Sequence, residues 1–263
     1  MDAYNTTWIS TVTGTGTTWT FNIVKEIFKS SNLNVLPEKV YKGRKEYFQI
    51  YKDHALKDND TKNHYVLQCH AILALPLIKS RCKVITNVRN PYDTCASHYE
   101  FMKCSLGEAI CNAVHVPLLN KHYSSLGSEK VFLLPFEEID ERPINLIDRI
   151  SKFLGVPIDK AAIRAIAKKY SRKNIVKMIS KNDGVLYDKL LKGQEISDDE
   201  IVKNEAHKNG IGSHDLLTGY QSRHISNRKS GEWRSAFSVG QIPEIVEALD
   251  EIAISLGYKS EKV

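Results

Sequence analysis

The chain has 263 residues, 42% of them apolar and 26% charged, enough for one large α/β domain or two small ones with a sizeable core. Its formal charge of +6 is spread along the chain, which suits an anionic small ligand and counts against nucleic acid, whose partners carry a denser basic stripe. No run approaches the roughly 18 apolar residues of a membrane span and the N-terminus lacks a signal-peptide pattern, so the expectation is a cytoplasmic protein with no membrane partner.

The first predicted element is a strand. Trp8-Ile9-Ser10-Thr11-Val12 is apolar and β-branched and runs into Gly14 and Gly16. Thr17 and Thr18 follow, and Phe21, Ile23, Val24, Ile27 and Phe28 mark one helical face over 17–30. A strand that enters a helix through a Gly/Thr turn gathers backbone N–H groups and the positive end of the helix dipole at one point. That point favours a phosphate, although the same turn also serves α/β sheets that bind nothing. Asn32 to Asp53 shows no clear period, and Asp58-Asn59-Asp60 reads as a turn. Tyr65 to Cys69 is a second strand and Lys83 to Val88 a third, after which Arg89-Asn90-Pro91 opens a helix. Lys130 to Pro135 is a fourth strand. Strands alternating with helical stretches predict βαβ crossovers, hence an α/β fold with a mainly parallel sheet flanked by helices, in a single domain over 1–263.

Ile144 to Leu154, stopped by Gly155, and Asp159 to Lys169 are predicted helices. The basic run Lys168 to Lys173 lies in a helical pattern and reads as a solvated face. Residues 182–220 are polar and rich in Gly and Asp, the pattern of a lid or substrate cap. The last helix carries Ile242, Ile245, Val246, Leu249, Ile252, Ala253 and Leu256 on one face and ends at Gly257, which makes it core packing. The five cysteines are odd in number and form no C-x-x-C pair, so they read as reduced thiols, with neither a disulfide framework nor a metal site.

Three stretches carry chemistry. The turn Gly14-Thr15-Gly16-Thr17-Thr18 lacks the lysine of G-x-x-x-x-G-K-[ST], which weakens an ATP-hydrolysing reading. Trp19 stands where G-x-G-x-x-G has its third glycine, which counts against a dinucleotide; the ring either packs in the core or lies against a base. Arg89 ends a strand where α/β sheets bind ligands, and Ser97 lies about two helical turns further on. Their alternative is an ordinary Arg89–Asp93 pair. Asn227 to Arg234 is a basic, Gly-containing turn, either a second phosphate clamp or a charged surface loop.

In this order the three stretches resemble the signature of sulfotransferases that use 3′-phosphoadenosine-5′-phosphosulfate (PAPS). In that family a K-S-G-T-T-W loop holds the 5′-phosphosulfate, R-N-P-x-D with a later serine binds the 3′-phosphate, and R-K-G-x-x-G-x-W closes over it. The counterparts are Gly14 to Trp19, Arg89-Asn90-Pro91-Tyr92-Asp93 with Ser97, and Arg228-Lys229-Ser230-Gly231-Glu232-Trp233. Phe136-Glu137-Glu138-Ile139 and Phe153-Leu154-Gly155 resemble the family's Y-E-D-M and F-L-G elements. The resemblance implies a P-loop-like fold, PAPS as co-substrate and adenosine 3′,5′-bisphosphate (PAP) as product. It assigns nucleotide contacts to Gly14, Thr15, Gly16, Thr17, Thr18, Trp19, Arg89, Ser97, Phe136, Arg228 and Lys229. Gln68-Cys69-His70 stands where the family has K-T-H-x-P, which makes His70 the implied general base; without the resemblance it is a strand-end histidine beside Cys69. The implied acceptor is a hydroxyl or nitrogen of a small metabolite or natural product, and the implied state is a monomer or weak homodimer, since Arg234 to Val239 loosely resembles the family's dimer segment.

The departures lie at charged positions. Gly14 replaces the loop lysine, Gln68 replaces a second lysine, and Phe136 replaces an adenine-contacting Tyr. They leave two other readings open, a PAPS-binding homologue with impaired catalysis and a nucleotide kinase of related fold.

Overall fold

The computed structural model of the chain describes residues 4–58, 62–73, 82–203 and 210–262. The turn expected at Asn59-Asp60 lies outside them. The first half contains β1 (Thr6–Ser10), α1 (Thr17–Ser30), β2 (Asn34–Leu36), α2 (Arg44–Ile50), β3 (Asn63–Cys69), β4 (Cys82–Val88), α3 (Pro91–Met102) and α4 (Leu106–Ser124). The second contains β5 (Val131–Pro135), α5 (Glu138–Glu141), α6 (Pro143–Leu154), α7 (Lys160–Lys169), α8 (Arg172–Leu191), β6 (Ile201–Lys203), β7 (Ile211–Ser213) and α9 (Ile242–Ser255). Five strands form one sheet in the order β2-β3-β1-β4-β5. The β1–β4, β4–β5 and β2–β3 pairs are parallel, with Trp8 opposite Val84 and Ile85 opposite Phe132. Parallel neighbours need helical crossovers, which is the α/β arrangement that the alternation of strand and helix patterns predicts.

The chain divides into two compact units, and β3 passes from one to the other. The first unit is Met1–Thr17, Leu67–Arg142 and Ser226–Val263. Its helices pack through Tyr92, Cys95, Ala96, Ala109, Ala113, Trp233, Ile245, Leu249 and Ala253, all fully buried or nearly so. The Tyr92 and Trp233 rings stack with centroids 4.8 Å apart, and the Tyr92 hydroxyl donates to Asp250 Oδ1 at 2.8 Å. Trp233, next to the basic loop of 226–232, thus anchors that loop from the core. Asn90 caps α3 by accepting the Tyr92 N–H at 2.9 Å, with Pro91 in the first helical turn where its missing N–H costs nothing.

The second unit is Thr18–Val66 and Pro143–Ile225. In it α1 buries Phe21, Ile23, Val24, Ile27 and Phe28, the face expected from their spacing. Three segments differ from expectation. The basic run 168–173 is not one helical face: α7 stops at Lys169, buried Tyr170 interrupts it, and α8 restarts at Arg172. Residues 182–191 are the end of α8, followed by the antiparallel β6–β7 hairpin with Val202 opposite Gly212. Their sparse apolar residues serve one narrow helix face, with Leu186 buried and Leu191 exposed. In 32–53 the structure forms β2 and α2, elements too short to show a period. Of the cysteines, all free, Cys69, Cys82 and Cys95 are buried and Cys111 is exposed.

Candidate active site

The turn after β1 is shaped by what holds its carbonyls. In the first unit five consecutive carbonyl oxygens accept side-chain hydrogen bonds. His70 Nδ1 lies 3.1 Å from the Thr11 oxygen, Thr15 Oγ1 donates to Val12 at 2.7 Å, and Asn112 Nδ2 to Thr13 at 3.0 Å. The Arg89 guanidinium donates to the Gly14 carbonyl, and Asn87 Nδ2 to Thr15 at 2.6 Å. In a trans peptide the N–H points opposite to its C=O. Where side chains of other segments hold a carbonyl, as at Thr11, Thr13, Gly14 and Thr15, the N–H of the same peptide is turned the opposite way, the arrangement of an anion-binding nest at a helix start.

Gly14 and Gly16 are required by this geometry. Their φ angles are +85° and +87°, in the region that side-chain-bearing residues avoid. A Cβ on Gly14 would stand 3.3 Å from Ser97 Cβ and 3.4 Å from the Thr94 carbonyl. One on Gly16 would stand 3.0 Å from the Phe136 ring and from Ile139 Cδ1. A side chain at the position where the resemblance leads one to seek a lysine would thus be strained and tightly packed.

That packing brings separated motifs together. Ser97 abuts Gly14, and Arg89 bonds the Gly14 carbonyl while its Cζ lies 4.0 Å from the centroid of the Phe136 ring. Burial lowers the Arg89 pKa to about 10, opposed by the charges of Asp93 and Glu137, and leaves the group a cation at neutral pH. Arg228 is paired with Glu100: Nε is 3.2 Å from both carboxylate oxygens and a terminal nitrogen is 2.9 Å from Oε2. Asp93, one face along α3, accepts the Gly231 N–H at 2.7 Å, and burial raises its pKa against the pull of that N–H and of Arg89 and Arg228. Lys229 is exposed, with its backbone N–H bonded to Glu232.

His70 leaves β3 with Nδ1 turned to the Thr11 carbonyl. As the donor there, the ring keeps Nε2 as its acceptor. The ring is exposed at its surface yet crowded by the protein around it, and this desolvation lowers its pKa below the ordinary value, with the Thr11 carbonyl partly opposing. Burial likewise lowers the pKa of His98, next to Ser97 on α3, with Glu108 opposing the shift and His70 adding to it.

Thr18 and Trp19 belong to the second unit. The Trp19 ring is 6% exposed, and its Nε1 donates to the Tyr170 carbonyl at 3.2 Å. Asn22 Nδ2 donates to the carbonyls of Thr18 and Thr218, both at 2.7 Å, and Lys25 Nζ to those of Glu38 at 3.0 Å and Leu217 at 3.4 Å. His224 Nε2 lies 3.4 Å from Thr18 Oγ1. Tyr47 and Tyr51 are buried, and Tyr47 packs edge-on against Phe21 and Tyr41.

Sequence reasoning missed Asn87, Asn112 and His224. Asn87 had a signal, a buried amide inside the apolar run of β4. Asn112 had none, because 106–124 carries Pro117 and no single apolar stripe. No group of three or more metal-ligating side chains occurs among the described residues, nor any helix long and apolar enough to cross a membrane.

A family model described as the sulfotransferase domain matches residues 5–254, and the chain belongs to that family. Among solved structures, a mouse sulfotransferase complexed with PAP superposes with a TM-score of 0.60 at 16% identity, over 96% of this chain and 88% of that one. Retinol dehydratase in complex with androsterone and PAP gives 0.58 at 15% identity, over 98% and 82%, and its complex with retinol and PAP gives 0.56 at 14%, over 99% and 84%. At such identities the likeness is one of fold. No curated protein sequence matches the chain.

Proposed function

We propose that the chain transfers the sulfonate of PAPS to a hydroxyl or nitrogen of a small organic acceptor, with both units forming one functional domain. The observation that carries this reading is the turn itself: five carbonyls held by side chains, four of them from other segments, two glycines of positive φ, and Arg89 and Ser97 gathered at Gly14. The PAP printed for the neighbouring structures supports the same donor.

In this reading the N–H groups of the turn and the hydroxyls of Thr17 and Thr18 hold the 5′-phosphosulfate. Arg89, Ser97, Arg228 and Lys229 hold the 3′-phosphate, Phe136 takes the place of an adenine contact, and Trp19 meets adenine through the small part of its surface left exposed. By analogy with phosphoryl transfer, catalysis rests on positioning and charge stabilisation. The bond from sulfur to the 5′-phosphate oxygen breaks and its electron pair stays on that oxygen. The acceptor atom bonds to sulfur, and its proton passes to Nε2 of His70. The retinol and androsterone of the neighbouring complexes support a small apolar acceptor, and residues 182–220 are proposed to cover it.

The test is calorimetry with PAP and ATP, followed by radiolabelled PAPS with a panel of small alcohols, phenols and amines. PAP binding and labelled product are expected; binding of ATP alone would point to a nucleotide kinase, and PAP binding without turnover to an inactive homologue. His70→Ala is expected to lose about 100- to 10,000-fold in turnover while still binding PAP.

A further inference from the structure

Resting on the PAPS reading, we infer that His224 does the work of the absent loop lysine, donating a hydrogen bond from Nε2 to the 5′-phosphate oxygen that leaves sulfur. Charge develops on that oxygen as the S–O bond breaks, and a donor already in place there lowers the barrier without reorganisation. Gly14 cannot supply it. It carries no side chain, and its φ of +85° and the 3.3 Å approach of Ser97 make any side chain there strained and tightly packed.

His224 meets the requirement from another direction. Its Nε2 lies 3.4 Å from Thr18 Oγ1, the hydroxyl in the first turn of α1 assigned to the 5′ end of the nucleotide. The segment that carries it is fixed rather than loose. Asn22 and Lys25, one and two turns along α1 from Thr18, bond the carbonyls of Thr218 and Leu217. Tyr220, 2% exposed, sets its ring edge-on against the imidazole, with centroids 5.7 Å apart. The His224 N–H is bonded back to the Gln221 carbonyl at 3.0 Å, closing a turn that presents the ring. A supporting shell of this kind holds a catalytic group within the tolerance that transition-state stabilisation needs.

The experiment compares two nucleotides by calorimetry, PAP and adenosine 3′-monophosphate, which lacks the 5′-phosphate. In His224→Ala, PAP affinity is expected to fall about tenfold, as for loss of a hydrogen bond to a charged group, while adenosine 3′-monophosphate binds as before. His224→Lys is expected to recover most of the PAP affinity, and with PAPS the alanine variant should lose more in kcat than it gains in KM. Equal losses for both nucleotides, or no loss for PAP, would overturn the assignment. Should the alanine variant not fold, His224→Lys decides by keeping or losing its preference for PAP over the monophosphate. Failure of the unaltered protein to bind PAP is the separate result that removes the PAPS reading itself.

Discussion

Two helices, one in each unit, present polar side chains at the same spacing and use them differently. On α1, Thr18, Asn22 and Lys25 share a face and hold the segment 217–224, almost wholly through its backbone carbonyls. On α3, Asp93, Ser97 and Glu100 share a face; the two carboxylates hold the loop 226–231 through Arg228, Ser226 and the Gly231 N–H, and Ser97 abuts Gly14. The two held segments follow one another in sequence. The α1 seat uses buried neutral bonds and one buried amine, so it is indifferent to salt. The α3 seat joins buried Asp93 to a backbone N–H and partly exposed Glu100 to Arg228, so its ion-pair half answers to salt. The comparison separates a rigid seat made of buried neutral bonds from an exchangeable seat that contains an ion pair.

The largest effect should come from Lys25. Burial pushes its pKa down to about 8, with nearby Lys29 adding to the shift and Glu26, Glu38 and Asp215 opposing it. Because the unfolded chain binds the extra proton between about 8 and the ordinary lysine value, stability should rise with pH through that window. Lys25→Met should abolish this rise, on the order of 3 kcal/mol, when denaturant unfolding is followed at pH 7 to 10. A slope left unchanged by the substitution would mean that α1 does not carry a buried amine.

Gly14→Lys, which restores the residue of the family loop, should destabilise rather than help. Positive φ and the contact with Ser97 together cost about 2–3 kcal/mol, to be read as a lower midpoint in urea. A variant as stable as the parent would show that the turn next to α3 has room for a side chain. Asn22→Ala removes two buried donors' bonds and should cost about 2 kcal/mol, the same at 0.05 and 0.5 M salt. Glu100→Gln should cost about 1 kcal/mol or less at low salt, because the pair is partly exposed, and the loss should vanish at high salt. If the Asn22 loss screened with salt and the Glu100 loss did not, the contrast between the two seats would be inverted.

Much of this was legible in the sequence. The faces of α1 and α9, the strands β3, β4 and β5, and the stops after α6 and α9 each follow from a period or a turn residue carried within a few positions. The three stretches proposed to bind the nucleotide could be picked out for the same reason, since each is contiguous. Helix α4 was not legible, being apolar on several sides and interrupted by Pro117, nor was the break at Tyr170, which follows from burial of one ring inside an otherwise helical, basic run.

The sequence by itself determined that β1 enters α1 through a glycine turn suited to phosphate, and that Arg89 ends a strand with Ser97 about two turns further on in the helix that follows. Only the tertiary structure decided which way that turn faces. Its carbonyls are held by His70, Arg89, Asn87 and Asn112, which come from three other elements and lie as many as 99 positions away. Likewise a missing lysine is visible in sequence, but the tight space over Gly14 and the imidazole beside Thr18 are not. Local periodicity encodes which backbone forms; the placement of donors around a turn depends on side chains that meet only when the sheet and its helices pack.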